Sequence, residues 1–301
     1  MTAVSAPGAR RADPARRGPG RRTSDGRREG AVSATSQAVL VLWTVLVVAP
    51  LLWTVMSSFK TTREIFASPF SLPTSLQWEN YVNAWTLAGI GTYFVNSVLV
   101  VTGALALTMA LGAMSAYVLA RFPFPGRAAV RTLVVAGLTF PIFLAVVPLF
   151  FILQQAGLLN TLPGLVAAYT AYAYPFTVFF LMSFFEDLPG EVAEAAALDG
   201  ASEWRTFFQI MLPMARPGLA AVAILNFVGL WNQFLLPVVL NSNPDNYVLT
   251  QGMASFASQA GYSVDFGALF AGAVTTIVPV LVVYLVFQRR LQGSVVQGSV
   301  K

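Results

Sequence analysis

The sequence predicts an all-α, polytopic membrane protein with six transmembrane helices. Of its 301 residues, 56% are hydrophobic and only 10% are charged, whereas soluble domains carry about 25% charged residues. No Asp, Glu, Lys or Arg occurs between Arg131 and Glu186, or between Arg216 and Asp245. Because a bilayer span needs about 20 apolar residues, both stretches are long enough to hold complete spans.

The N-terminal segment 1–36 differs from the rest of the chain in composition. It holds eight Arg together with many Gly, Pro and Ala residues, and almost no large apolar side chains. Such a segment buries too little apolar surface to become ordered. We therefore predict a disordered basic cytoplasmic tail over 1–36, followed by a transmembrane domain over 37–301. Its arginines are typical of a topology signal, and contact with anionic lipid is the second interpretation.

Six apolar segments are predicted to cross the membrane. Prolines occur within several of them, which is common in membrane helices. The first segment is longer than the core of a signal peptide and no A-x-A cleavage site follows it, so we expect it to be retained. The predicted spans are 38–58, 93–119, 132–153, 164–185, 218–240 and 266–287.

The basic residues predict the orientation of these spans. Of the 18 Lys and Arg residues, all except Lys60 and Arg63 lie in the N-terminal tail, in the loops 120–131 and 186–217, or at the C-terminus. Because basic loops stay in the cytoplasm, both termini are predicted to be cytoplasmic, as an even number of spans requires. The net charge of +5 is thereby explained by topology, and no nucleic-acid partner is expected.

The predicted cytoplasmic loop 186–217 has the ends of two short helices. Pro189 suits a first helical turn, and Gly200 suits a left-handed stop. Ser202 is placed to cap a second helix that ends before Pro213. Acidic residues contribute little to topology, so the cluster of them at the start of this loop indicates another role.

Small side chains follow one face of the first of these helices. They lie three, four and seven positions after the first member, which places them on one side. Such a face lets another protein surface approach the backbone closely, with Glu194 beside it to pair with an arginine. A surface helix packed on its own loop is the alternative that this pattern leaves open, because so short a helix needs a supporting surface. The members are Ala193, Ala196, Ala197 and Gly200.

The same loop resembles the EAA motif of ABC importer permeases. The run Glu194-Ala195-Ala196-Ala197-Leu198-Asp199-Gly200 is followed, after nine residues, by Ile210-Met211-Leu212-Pro213. From about residue 38 onward, the chain is also similar to the carbohydrate permeases of this superfamily, the group that includes the maltose permease. The stretches that carry this likeness are Asn96-Ser97, Ala116–Gly126, Gly157–Thr161, Trp231-Asn232-x-Phe234 and Gln288-Arg289-Arg290.

The resemblance implies an ABC importer type I permease fold in the inner (cytoplasmic) membrane of a bacterium. It implies that the first helix of the loop is a coupling helix, which docks on a dimer of separate ATP-binding subunits. It also implies a second permease subunit, an extracytoplasmic solute-binding protein, surrounding membrane lipid, and a carbohydrate substrate (a mono- or oligosaccharide or a related polyol) moved by alternating access. The implied docking residues are Glu194, Ala195, Ala196, Asp199 and Gly200.

The sequence offers no catalytic or metal-binding constellation. It contains neither Cys nor His, which excludes disulfides, Cys or His metal sites and histidine acid–base chemistry. Neither Lys60 nor Lys301 stands in a phosphate-binding P-loop. We therefore expect a non-enzymatic membrane subunit without a cofactor of its own, with ATP bound by the partner subunit.

Polar residues in or near the fifth predicted span are candidates for the substrate path. A sugar offers hydroxyl groups to amide side chains and ring faces to aromatic ones. Asn226 and Gln233 are seven positions apart and would share one face of a helix. Hydrogen bonding between helices is the competing interpretation of such residues. The candidates are Asn226, Trp231, Asn232 and Gln233.

Other functions fit the sequence less well. A secondary transporter is disfavoured because coupling to protons or sodium usually uses a carboxylate inside the membrane, and only Asp265 lies at the edge of a span. A membrane enzyme is disfavoured by the missing catalytic constellation. A permease for another solute, such as an amino acid or phosphate, stays open, because the stretches similar to carbohydrate permeases are less specific than the EAA motif.

Overall fold

The computed structural model describes residues 25–258 and 265–298, with side-chain surroundings for 35–258 and 265–288. The chain divides into two compact units, Met1–Leu52 and Trp53–Lys301. Residues 1–24 of the predicted disordered tail lie outside the described part. The first helix begins at Asp25, so residues 25–36 are helical rather than disordered, whereas the domain boundary at residue 36 stays a prediction. Several of these residues, including Arg, Glu and Ala, are good helix formers that lead directly into the apolar run.

Helices make up the regular structure of the described residues. A π-helical turn, Phe207–Met211, and a 3₁₀ turn, Pro244–Asn246, lie between them. The α-helices are α1 (Asp25–Ser57), α2 (Thr62–Ala67), α3 (Glu79–Thr86), α4 (Ile90–Arg121), α5 (Arg127–Thr139), α6 (Ile142–Gln155), α7 (Leu162–Asp187), α8 (Gly190–Leu198), α9 (Glu203–Thr206), α10 (Leu212–Met214), α11 (Arg216–Trp231), α12 (Leu235–Leu240), α13 (Leu249–Ser258) and α14 (Phe266–Gly298).

Four helical segments of the described chain are individually long and apolar enough to cross a membrane, and they overlap the first, second, fourth and sixth predicted spans. The third predicted span falls on a bent helix pair, and the fifth begins in the second helix of another bent pair. Helices α5 and α6 meet at 105°, and the run Glu203–Met214 meets α11 at 74°. The four long segments are Thr35–Ser57, Ile90–Arg121, Leu162–Asp187 and Phe266–Gln288.

Helices α4 and α7 pack closely and run in the same direction. A Cβ atom added to Gly103 would lie 3.3 Å from Val166, and one added to Gly112 would lie 2.6 Å from Thr177. Small residues at such positions let membrane helices approach each other. Since the chain leaves α4 at one end of the bundle and enters α7 at the other, α5 and α6 together carry it back. The bent pair is therefore a single crossing.

The break in this third span follows from Pro141. Proline lacks a backbone N–H and forces the residue before it towards an extended conformation. Phe140 accordingly has φ −74° and ψ 121°, and Pro141, the N-cap residue of α6, is also extended at φ −64° and ψ 122°. The prediction of one continuous helix over 132–153 is wrong at these two residues.

Helix α11 runs antiparallel to α4 and ends earlier than predicted. Its Gly218 lies against Phe184 near the end of α7, whereas its last residue, Trp231, stacks edge-on against Phe94 near the start of α4, with ring centroids 5.8 Å apart. The predicted fifth span to residue 240 is interrupted after Trp231. The side chain of Gln233 stabilises the interruption, because its Oε1 accepts hydrogen bonds from the first free N–H groups of the α12 turn.

Two apolar clusters occupy opposite ends of the bundle in the second unit. One surrounds the start of α4 and the end of α11. The other joins the ends of α4 and α7 to the loop that follows α7, and includes Tyr117, Phe185, Phe207 and Met211. We call the second end the arginine end, since Arg121, Arg127 and Arg131 lie there. The bundle thus holds the loop 186–217 as a packed part of the domain.

Candidate functional site

Helix α8 is a short, well-terminated helix at the arginine end. Pro189 is its N-cap residue. At the other end, Gly200 has φ +76°, its N–H donates to Ala197 O at 3.0 Å, and the N–H of Ala201 donates to Ala196 O at 2.9 Å. These two bonds form the motif in which a left-handed glycine closes a helix. The left-handed stop predicted at Gly200 is confirmed.

The structure divides the small-residue face of α8. Ala196 is only 5% exposed, and Ala193 packs against the apolar cluster at the arginine end. Ala197 and Gly200 are exposed. The prediction that all four residues form one outward face is therefore wrong for Ala193 and Ala196. A helix of nine residues is too short to be stable alone, and this half of the face holds it on its own domain.

Four of the five predicted docking residues lie on the outer side of this helix. Glu194, Ala195, Asp199 and Gly200 are exposed, and Ala196 is the exception. The sequence reasoning missed Leu198, whose side chain is 90% exposed. Its position in the sequence, as a single large apolar residue between three alanines and Asp199, could have indicated an exposed contact residue. We call Glu194, Ala195, Leu198, Asp199 and Gly200 the α8 surface.

The second helical run of the loop extends further than predicted. Ser202 caps it, since its Oγ accepts the N–H of Arg205 at 3.4 Å, as predicted. The run then passes through the π-helical turn, in which the N–H of Leu212 donates to Phe207 O. This wider turn takes Pro213 into the helix, so the predicted end before Pro213 is wrong.

A cleft of about 780 Å³ lies between α5, α6, α7, α11 and α12. Phe140, at the break in the third span, is among the residues that line it, and the lining is mainly apolar. Its polar side chains are few, notably those of Tyr172 and Asn226, and Gly229 of α11 leaves open space where a side chain would stand. Sequence reasoning missed Tyr172 and Gly229, because nothing in their local pattern distinguishes them from the rest of their spans.

The predicted substrate-path residues Asn226 and Trp231 are both buried and hydrogen-bonded to other helices. Asn226 is 5% exposed, and its Nδ2 donates to Thr177 Oγ1 at 2.7 Å, although it also borders the cleft. Trp231 Nε1 donates to Thr276 O at 3.1 Å. These contacts join α11 to α7 and to α14, as the competing interpretation of helix–helix hydrogen bonding requires.

The other two candidates lie beyond the end of α11. Asn232 is exposed, and its Nδ2 donates back to Val228 O at 2.9 Å. Gln233 is partly exposed and caps α12. Because α11 ends at Trp231, the prediction that Asn226 and Gln233 share a helix face is wrong. Of the four candidates, Asn226 alone is among the residues that line the cleft.

We expect Asn226→Leu to loosen the contact between α7 and α11. Polar pairs of this kind are worth about 0.6–2 kcal/mol between membrane helices, so the purified protein should unfold at a lower temperature. Thermal unfolding in detergent measures this, with Asn232→Leu as the matched control, because the Asn232 side chain donates back to Val228 of α11 and joins no second helix through that bond. Equal unfolding temperatures of the Asn226 variant and the wild type would contradict the structural role.

Comparison with known proteins agrees with this architecture. A family model described as "Binding-protein-dependent transport system inner membrane component" matches residues 108–295. The chain is 65% identical over 267 residues to a diacetylchitobiose uptake system permease protein of Streptomyces coelicolor, covering 89% of this chain and 88% of that protein. It is 33% identical over 276 residues to a trehalose transport system permease protein of Mycobacterium tuberculosis, which covers 90% of this chain and 99% of that protein.

A solved structure shares the fold. The crystal structure of a bacterial ABC transporter involved in the import of the acidic polysaccharide alginate aligns with a TM-score of 0.77 at 19% identity, over 89% of this chain and 98% of that one. The described chain is thus an all-helical membrane permease, and the predicted permease fold is confirmed. The family model matches more than half of the sequence. The chain therefore belongs to the binding-protein-dependent transport system inner membrane components.

Proposed function

We propose that this chain is one of two permease subunits of an ATP-driven importer that takes up an N-acetylated oligosaccharide of the diacetylchitobiose type. The observation that carries the proposal is the 65% identity, over 89% of the chain, to a diacetylchitobiose permease. The chain itself does no chemistry. It contains no P-loop, so ATP is bound and hydrolysed by a separate pair of subunits.

The α8 surface is where those ATPase subunits dock. It presents two exposed carboxylates, Glu194 and Asp199, beside the exposed side chain of Leu198. Carboxylates of this kind pair with arginines, and burial of an exposed leucine against a partner is favourable. The half of α8 that packs inward ties the surface to the ends of α4 and α7, so a force applied to α8 reaches the bundle.

The cleft beside the third span is this chain's half of the translocation path. Its volume of about 780 Å³ lies in the range of small-ligand sites, which is about 300–1,000 Å³. Acetyl methyl groups and pyranose ring faces suit its apolar lining, and Tyr172 and Asn226 border it with polar groups. A second permease subunit supplies the opposite wall.

The arginine end faces the cytoplasm of a bacterial cell. Arg121, Arg127 and Arg131 lie there, and basic loops are retained on the cytoplasmic side. In this proposed orientation, the α8 surface is within reach of ATP and both chain termini lie inside the cell. The opposite end receives substrate from an extracytoplasmic binding protein, and one neighbour of the same fold has been crystallised with a periplasmic protein bound to an alginate pentasaccharide.

Transport by the complete complex tests this proposal. The tagged chain is purified from its own membranes with the subunits that accompany it, reconstituted into vesicles, and offered labelled diacetylchitobiose or labelled trehalose. We expect saturable, ATP-dependent uptake of diacetylchitobiose that excess trehalose does not inhibit. Preferential uptake of trehalose would contradict the substrate class. Uptake driven by an ion gradient without ATP would contradict the importer.

A further inference from the structure

Three arginines hold the helix ends together at the arginine end. Arg127 donates from Nε to Leu119 O at 2.8 Å and from Nη2 to Ala120 O at 3.0 Å. Arg131 donates from Nη2 to Leu119 O at 2.9 Å. The last carbonyls of a helix lack partners within it and carry partial negative charge. The start of α5 is therefore fastened to the end of α4 through guanidinium groups.

The same arginines reach the end of α7 and the start of α8. Arg131 forms an ion pair with Glu186, in the last turn of α7. Arg121 donates to the carbonyl of Leu188, which lies just before α8, and a Cβ atom added to Gly190 would lie 3.9 Å from Arg121 Nη1. The Arg131–Glu186 ion pair directly connects α5 to the base of the loop that carries the α8 surface.

Helix α5 extends from this cluster to the cleft. Its Gly137 and Leu138 line the cleft, and a Cβ atom added to Gly137 would lie 2.9 Å from Pro175 of α7. The helix ends at the break formed by Phe140 and Pro141. Helix α5 is thus hydrogen-bonded to α4 at its start and free to rotate about the break at its end, so it moves as a rigid unit. Movement of α8 thus has a continuous path of packed and hydrogen-bonded groups to the cleft wall.

We propose that Arg131 and Glu186 are the positioning pair that links α8 to the cleft. When the loop at the end of α7 is displaced, the pair moves α5 with it. Helix α5 then rotates about Phe140–Pro141, and this rotation changes the opening of the cleft. The pair's side chains are 31% and 40% exposed, and ion pairs as exposed as this stabilise a fold very little. Its role is therefore transmission, and this inference rests on the proposed function.

Charge reversal in a double-mutant cycle tests the link. Arg131→Glu and Glu186→Arg each leave two like charges in contact, whereas the double variant restores an opposite pair. In the reconstituted complex, we expect each single variant to lower the amount of sugar imported per ATP hydrolysed by about two- to thirtyfold, the fold-change that corresponds to the coupling energies found between linked sites. The double variant should recover the part of this ratio that the ion pair carries, since a carboxylate at position 131 cannot replace the hydrogen bond from Arg131 to Leu119 O. Arg205→Glu and Glu203→Arg are the matched controls, because both residues are exposed at the same end of the bundle, lie outside the α8 surface, and Arg205 donates within its own helical run, to Gln209.

The outcomes separate this inference from the proposed function. A wild-type complex that imports sugar with ATP, together with single variants whose import ratio equals that of the controls, would overturn the link and leave the function standing. A double variant as impaired as the singles would also overturn it. A wild-type complex without ATP-dependent import would overturn the proposed function and the link with it. Thermal unfolding of the purified variants distinguishes a folding defect, which would affect stability and import ratio together.

Discussion

Replacing Gly200 with valine is expected to leave the protein inserted in the membrane but to uncouple it from ATP hydrolysis. Gly200 has φ +76°, and no heavy atom lies within 4 Å of an added Cβ. The cost is therefore conformational: a side chain in the left-handed region is disfavoured by about 1–2 kcal/mol, which corresponds to about a five- to thirtyfold change in an equilibrium. The α8 surface would be redirected, and ATP-dependent uptake should fall by a similar factor.

Gly157 provides the matched control for this experiment. It also has a left-handed backbone, at φ +68°, with no heavy atom within 4 Å of an added Cβ, but it follows α6 and lies away from the α8 surface. Gly157→Val should suffer similar strain and keep its uptake. Uptake and co-purification of the ATPase are measured for both variants. Normal uptake and ATPase assembly in Gly200→Val would remove α8 as the coupling element.

Filling the cleft from α11 is expected to block transport while leaving the helix bundle intact. Gly229 lines the cleft, and no heavy atom lies within 4 Å of an added Cβ. A phenylalanine at this position projects into open space without steric overlap at Cβ. Because a ligand cannot share that volume, we expect Gly229→Phe to reduce sugar uptake by at least about tenfold, whereas ATP hydrolysis stimulated by the loaded binding protein persists.

Gly229→Ala is the control that separates the effect of a filled cleft on uptake from the effect of replacing a helical glycine. Alanine is favoured over glycine in a helix by about 1 kcal/mol, so this variant should unfold at a higher temperature and keep its uptake. Vesicle uptake and thermal unfolding are compared for wild type, Gly229→Ala and Gly229→Phe. If Gly229→Phe imports sugar at the wild-type rate and has wild-type stability, the cleft is not on the transport path.

The number and order of the membrane crossings were predictable because hydropathy and charge act over whole segments. Runs without charge define the spans, and basic loops define one end of the bundle. The glycine stop at Gly200 was predictable for a different reason: a left-handed residue needs glycine almost regardless of what surrounds it. Both features depend on local chemistry, and both appear in the sequence itself.

The features that failed depend on tertiary neighbours. Pro148 and Pro175 stay inside helices whereas Pro141 breaks one, and the sequence around them does not separate the two outcomes. Ala196 was predicted to face a partner, but a nine-residue helix first needs its own domain for support. Asn226 was assigned to the substrate path from spacing that assumed a helix continuing beyond Trp231. Its hydrogen bond to Thr177 depends on how α7 and α11 pack together, which the sequence alone does not specify.

The break at Pro141 also adds a main-chain polar group to the few polar side chains near the cleft. In an unbroken helix, the carbonyl of Gly137 would accept the N–H four residues later, but Pro141 has none to give. Gly137 is among the residues that line the cleft, so the interruption leaves a main-chain carbonyl without its helical partner beside a wall built mostly from hydrocarbon. Broken membrane helices use backbone groups of this kind to hold their cargo. Scanning the cleft by side-chain replacement would leave that acceptor in place, and would therefore underestimate how well this wall accommodates a sugar hydroxyl.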